Sequence, residues 1–363
     1  MSVHEARQKR LRQQIRAAKV DGLLVTNFVN VTYLTGFTGD DSYLLVTLDG
    51  VQLLTDMRYT TQLEDECPGL KLQIRSPGEK MLDTTADAIK RAKVDRLGVE
   101  AGSMTVGLNN ALQEKLPKTK LEPTEDLVEG LRAVKDKDEV AAIRLACHHA
   151  KRAFEAVRAA VTPTMTESQV AADLEYQARR FGAKGLSFEP IVAVGARSAL
   201  PHGRPTHLQL AESDFTLVDW GVRTGQYVSD LTRMWVTGRI SPKFRKIYEV
   251  VLQAQFAAID AIRPGIKCEE VDAVARGIIT KAGYGKQFGH GLGHGIGLEV
   301  HEAPRLTKQQ TVELQPGMVV TVEPGIYFPG WGGIRIEDDV LVTPSGHEVL
   351  TDVPKQLDDC LLS

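Results

Sequence analysis

The sequence predicts two domains of different class. The first is an α/β domain with a mixed sheet over residues 1–127, and the second an α+β domain of two similar halves over residues 128–363. Three observations predict this. The chain has 363 residues, beyond the ~250–300 at which single hydrophobic cores stop growing. Helical and strand patterns alternate through the first 125 or so residues. In the remainder Pro163, Val170, Ala172 and Gly182 recur 101 places later as Pro264, Val271, Ala273 and Gly283, a faint internal repeat.

The elements follow in order. Val3, Leu11, Ile15 and Ala18 lie near one stripe of an amphipathic first helix. The apolar run GLLV (22–25) reads as a buried strand, and YLTGFTGDDSYLLVT and VQLLTDMRY as β-rich segments with turns between them. A helix near 80–93 and a strand at LGVE (97–100) complete the pattern, with Asp40, Asp41 and Asp56 as turn residues. KDKDE (135–139) marks the domain boundary and opens a long helix. Val140, Ile143, Cys147, Ala150, Phe154, Val157 and Val161 recur there at three to four residues and predict a buried face, with His148 and His149 solvated. In the first copy of the repeat, Thr166 and Gln169 read as a capping box, and in both copies a glycine ends the helix. A functional site is expected between the two halves.

Composition narrows the function. Lys+Arg is 44 and Asp+Glu 47, a net charge of −3, so there is no basic footprint for nucleic acid or an anionic membrane. Cys67, Cys147, Cys268 and Cys360 form no CxxC pair, which argues against thiolate zinc and for buried small side chains. No run of 18 apolar residues and no apolar signal core occur, so a cytoplasmic protein is expected.

Chemistry gathers in the second domain. TLVDWG (216–221) and YVSDLTR (227–233) read as a hairpin whose midpoint between Thr224 and Gly225 sets Asp219 directly opposite Asp230. Cross-strand β-carbons stand roughly 4.5–5.5 Å apart, so two carboxylates in apolar strands call for a cation or a shared proton. MVVTVEPGIYF (318–328) and GIRIEDD (333–339) repeat the geometry around Gly330, with Glu323 opposite Glu337. GHGLGHGIGLEVHE (289–302) adds His290, His294 and His301, its five glycines permitting close backbone approach. A dinucleotide loop would want a following helix, and HExxH is absent. Asp219, Asp230, His294, Glu323 and Glu337 form an oxygen-rich set suited to manganese or cobalt, and four carboxylates suit two bridged ions better than one.

The order Asp, Asp, His, Glu, Glu in these strings resembles the pita-bread metallopeptidases, and within them the Xaa-Pro peptidases, aminopeptidase P and prolidase. YLTGFTGDDSYLLVT and LLTDMRY resemble the creatinase-like N-terminal domain of those enzymes, and SALPHGRP (198–205) adds His202. The resemblance implies an exopeptidase that hydrolyses the bond between an N-terminal residue and a following proline, using water activated between two divalent ions. Manganese is expected, with cobalt or zinc as alternatives. It implies Asp230 and Glu337 bridging both ions, Asp219 on one, and His294 and Glu323 on the other, with Glu323 also taking the proton. His301 and His202 would steady the intermediate, His290 would lie near the proline, Arg335 would orient the acidic groups, and Arg305 would meet a dipeptide carboxylate. Partners would be short proline-containing peptides and a second copy in a homodimer.

Two rivals share the fold: a creatinase-like C–N hydrolase that works without metal, and a non-enzymatic binding module. Both would be expected to lose ligand positions, and here all five are filled.

Overall fold

The computed structural model describes residues 2–362, and the chain divides after Arg132 into two compact units. In the first unit six strands form one mixed sheet in the order Lys71–Arg75, Val51–Asp56, Tyr43–Thr47, Gly22–Val25, Arg96–Glu100 and Lys120–Thr124. The last three run parallel. Tyr43–Thr47 and Val51–Asp56 are joined by only three residues and are antiparallel, as so short a connection requires. The first helix, Val3–Ala17, buries Arg7, Leu11 and Ile15, whereas Val3 is exposed and Ala18 caps the end on the solvent side. The apolar stripe is thus shorter than its sequence suggests. Arg7 completes it, with its guanidinium 4.2 Å from the Tyr33 ring centre and donating to the Tyr33 carbonyl. Asp56 accepts from the Arg58 N–H as a turn residue should, and is also paired with Arg58 and Arg75, which hold its carboxyl far below the usual range.

In the second unit the repeat is visible as helix pairs. Lys137–Ala160 and Glu167–Arg180 recur as Pro242–Ala261 and Cys268–Lys281, with both pairs of C-terminal ends 101 residues apart. Thr166 and Gln169 form the capping box, and Gly182 and Gly283 take φ of 107° and 90° just past their helices, a conformation that other side chains resist. The Lys137–Ala160 helix buries Ile143, Cys147, Ala150, Phe154 and Val157. His149 is not simply solvated: its Nδ1 lies 2.9 Å from Thr224 Oγ1, because it sits one residue round the helix from the exposed His148 and meets the neighbouring hairpin.

The helices cover strands that are buried on both faces. Phe215–Trp220 pairs with Leu231–Val236 on one side and Ile191–Val194 on the other. Trp220 stacks on Phe154 at 4.1 Å, and its Nε1 donates to the Ala150 carbonyl. A five-stranded sheet runs Glu302–Leu306, Gly293–Gly295, Val319–Val322, Asp338–Thr343 and Gly346–Val349, beside a two-stranded ladder of Gly325–Phe328 and Gly332–Arg335. All four cysteines are buried and unpaired.

Candidate metal centre

Two long hairpins carry the acidic residues; the second opens where Glu323 and Glu337 sit, while the first opens beyond Trp220, beside Asp230, and keeps Asp219 within its ladder. Val319–Val322 pairs with Asp338–Thr343 and Gly325–Phe328 with Gly332–Arg335 in one continuous register. Extended across the gap, that register places Glu323 opposite Glu337. In the gap the ladder bonds are redirected: the Glu323 N–H donates to the Leu292 carbonyl and the Glu337 N–H to the Thr232 carbonyl. The other hairpin differs from expectation. Asp219 faces Thr232, not Asp230. The turn is the two-residue Gly225–Gln226, with Gly225 at φ 59°, so the register shifts by two and leaves the aspartates diagonal. Diagonal neighbours remain within reach, and Asp230 is fixed by its N–H donating to Asp339 Oδ2 at 3.0 Å.

His294 arrives on the short strand Gly293–Gly295, and its flanking glycines are sterically required. A Cβ at Gly293 would stand 2.0 Å from the Thr321 carbonyl oxygen, and one at Gly295 2.1 Å from that of Ala303. The His294 Nδ1–H donates to the Gly295 carbonyl at 3.0 Å. That bond leaves Nε2 as a free lone pair, 3.5 Å from Glu323 Oε1 and 3.8 Å from Asp230 Oδ2. Asp230, His294 and Glu337 each bring a ligand atom to within 4.8 Å of the others.

These groups fit a cation. Asp219 Oδ2 accepts from Arg335 Nη2 at 2.5 Å, but its buried Oδ1 has no hydrogen-bond partner. Burial and the mutual charge of the carboxylates push Asp230 and Glu337 well above the normal range. Burial likewise pushes Glu323 up to about 8, with Asp219 adding and Arg335 opposing. Burial and the neighbouring His301 hold His294 down to about 3. Buried carboxyl groups that resist ionisation for want of a counter-charge, gathered around a neutral imidazole, are the environment a divalent ion relieves.

A cavity of about 810 Å³ opens over this cluster, and all ten candidate residues line it: His202, Asp219, Asp230, His290, His294, His301, Arg305, Glu323, Arg335 and Glu337. Arg305 faces His294 in register on the strand Glu302–Leu306. The rings of His294 and His301 meet edge to face at 4.4 Å. His290 is lowered to about 4, chiefly by burial, and its Nδ1–H donates to the Gly291 carbonyl. Its bare Nε2 therefore accepts from Tyr327 Oη at 3.0 Å, and Tyr327 in turn accepts from Arg335 Nη1 at 2.8 Å.

Sequence reasoning missed Tyr327 and Thr232. Thr232 Oγ1 donates to Glu337 Oε2 at 2.6 Å and accepts from Arg335 Nε at 3.0 Å. A signal for Tyr327 existed: strand alternation from Glu323 puts Gly325 and Tyr327 on the same face, and Gly325 leaves the room that Tyr327 Oη occupies.

Comparison with known proteins identifies the family of both domains. Residues 141–344 match the model of Metallopeptidase family M24, and residues 7–134 that of the Creatinase/Prolidase N-terminal domain. An Xaa-Pro dipeptidase of Pyrococcus horikoshii is 35% identical, covering 98% of this chain and 100% of its own. The solved Xaa-Pro dipeptidase from Bacillus anthracis superposes with a TM-score of 0.94 at 38% identity, covering 99% and 100%. The X-Pro aminopeptidase structure from Thermotoga maritima gives 0.86 at 35% identity, covering 95% and 99%.

Proposed function

Since this chain belongs to metallopeptidase family M24, we propose that it is an Xaa-Pro dipeptidase, hydrolysing the bond between an N-terminal residue and a following proline. The observation that carries the proposal is the convergence of all ten residues on one cavity large enough for a dipeptide, with Arg305 on its wall to meet the C-terminal carboxylate. The chemistry belongs to residues 128–363.

On this reading Asp230 and Glu337 hold two divalent ions, Asp219 completes one site, and His294 with Glu323 completes the other. The hard, oxygen-rich donor set supports manganese over cobalt or zinc. When bound, such ions would supply Lewis acidity and would lower the pKa of a water in the cavity. Glu323 accepts the proton released and returns it to the proline nitrogen as the bond breaks. His301 and His202 donate to the carbonyl oxygen as charge develops there. His290, neutral at pH 7, presents its ring beside the proline and is held by Tyr327. Arg335 keeps Asp219 and Tyr327 in place. Proline makes a tertiary amide without an N–H, so a site that grips only the carbonyl can use it. A second copy in a homodimer and a cytoplasmic location belong to the same proposal.

The test is a panel of Xaa-Pro, Xaa-Ala and Xaa-Leu dipeptides and Xaa-Pro tripeptides, assayed with manganese, cobalt or zinc. Turnover of Xaa-Pro dipeptides alone is expected. Efficient cleavage of the tripeptides would favour an aminopeptidase, a reading supported by the likeness to the Thermotoga maritima structure. Comparable turnover of Met-Ala and Met-Pro would remove the proline specificity.

A further inference from the structure

Behind the loop that carries His301 lies a buried ion pair with no part in the chemistry above. Residues 296–301 join the strand of His294 to the strand Glu302–Leu306. Lys135 Nζ stands 3.0 Å from Glu302 Oε2, with the two side chains 1% and 5% exposed. The other carboxylate oxygen of Glu302 accepts the N–H groups of Leu298 at 2.8 Å and Glu299 at 3.1 Å. Lys135 is itself anchored, its N–H donating to the Gly317 carbonyl at 2.9 Å. Gly297 makes room for the pair: a Cβ there would lie 2.7 Å from Glu302 Oε2 and 2.9 Å from Lys135 Cε. His301 has no comparable anchor. It is exposed to the cavity, no hydrogen bond to its ring is present among the described residues, and its ring meets that of His294 edge to face.

Buried ion pairs contribute little net stability, since well-packed apolar replacements are often neutral. A pair spent on two loop amides beside a histidine therefore points to geometry. We propose that Lys135 and Glu302 are positioning residues that clamp residues 297–300 and so hold His301 over the reacting carbonyl. This rests on the role given to His301 above. A misplacement of about 1 Å is worth roughly 10²-fold in rate, so the clamp need not touch substrate to matter.

The test uses the metal-loaded full chain. Lys135→Met strands a buried carboxylate and risks misfolding, so the paired variant Lys135→Met/Glu302→Leu, which removes both charges, accompanies it. Each is expected to lower kcat on an Xaa-Pro dipeptide about 10²-fold with KM and metal content unchanged. Amide deuterium exchange should quicken at Leu298 and Glu299 and nowhere else in the second unit. Adding His301→Ala to the paired variant should lower the rate no further than His301→Ala does alone, because both changes remove one function. Wild-type exchange at those amides, metal loss, or additive losses would overturn the clamp. A fully active His301→Ala would instead overturn the role of His301, while the exchange measurement still judges whether the loop is held.

Discussion

Metal binding should be governed by protons on carboxylates and not on histidine. The perturbation is pH. His294 is held down to about 3, so its Nε2 is bare at every pH from 5 upward. Glu323 is pushed up to about 8 and is therefore roughly nine-tenths protonated at pH 7. Each Glu323 that binds a cation must lose that proton, which from one group alone makes apparent affinity rise about 50-fold between pH 6 and pH 8. Asp230 and Glu337, also raised, steepen the rise. Stability of the metal-free chain runs the opposite way. A carboxyl whose pKa rises on folding contributes fully below its ordinary value of 4.5, and the contribution is lost as pH climbs through about 8. Above pH 7 the histidines no longer compensate, and Glu323 alone removes about 1 kcal/mol by pH 8, or roughly 2–4 °C in Tm. The assay is calorimetric titration of manganese into metal-free protein at pH 6, 7 and 8, in buffers of different ionisation heat, with parallel thermal melts. An affinity that moves less than about threefold, with no proton release, would refute the reasoning.

Other expectations are simpler. Asp230→Ala or Glu337→Ala should abolish activity and metal retention together, read by elemental analysis beside turnover. His301→Ala should keep both metals while losing about 10²–10³ in kcat; if it strips a metal instead, the roles of His294 and His301 are exchanged. Thr232→Val removes the hydroxyl that joins Glu337 to Arg335 and should weaken manganese binding about 10–100-fold with the fold intact, measured by the same calorimetry.

The acidic hairpins show what the sequence made legible and what it did not. Glu323 and Glu337 were placed opposite each other because the Pro–Gly–Trp turn is odd and the strands keep one register on both sides of the gap. Asp219 and Asp230 were misaligned because the midpoint argument assumed Thr224 and Gly225 as the turn, whereas the left-handed Gly225 centres it one residue later. The helix repeat was readable from four residues because prolines and glycines punctuate helix ends. Val3 and Ala18 looked like core because a helical stripe says nothing about where the underlying surface stops. Thr232 and Lys135 stayed invisible for a different reason. A threonine in a strand and a lysine in a charged run are ordinary residues, and only their tertiary partners, more than 100 positions away, give them meaning.

The unbroken register of the Val319–Thr343 hairpin bears on which length changes the chain can survive. Because side chains alternate faces, one residue inserted into the turn at Pro329–Trp331 would move Glu337 one place against Glu323 and turn one of them away from the cavity. The fold could absorb such an insertion as a bulge, but the cluster could not. The segment Gly238–Ser241, which leads from the Leu231–Val236 strand into the Pro242–Ala261 helix, lies outside both acid-bearing hairpins and could lengthen without disturbing either pairing. Natural variation in loop length should therefore fall in places like Gly238–Ser241 and spare the tip of the glutamate hairpin, a pattern set by counting residues and not by the chemistry of any one of them.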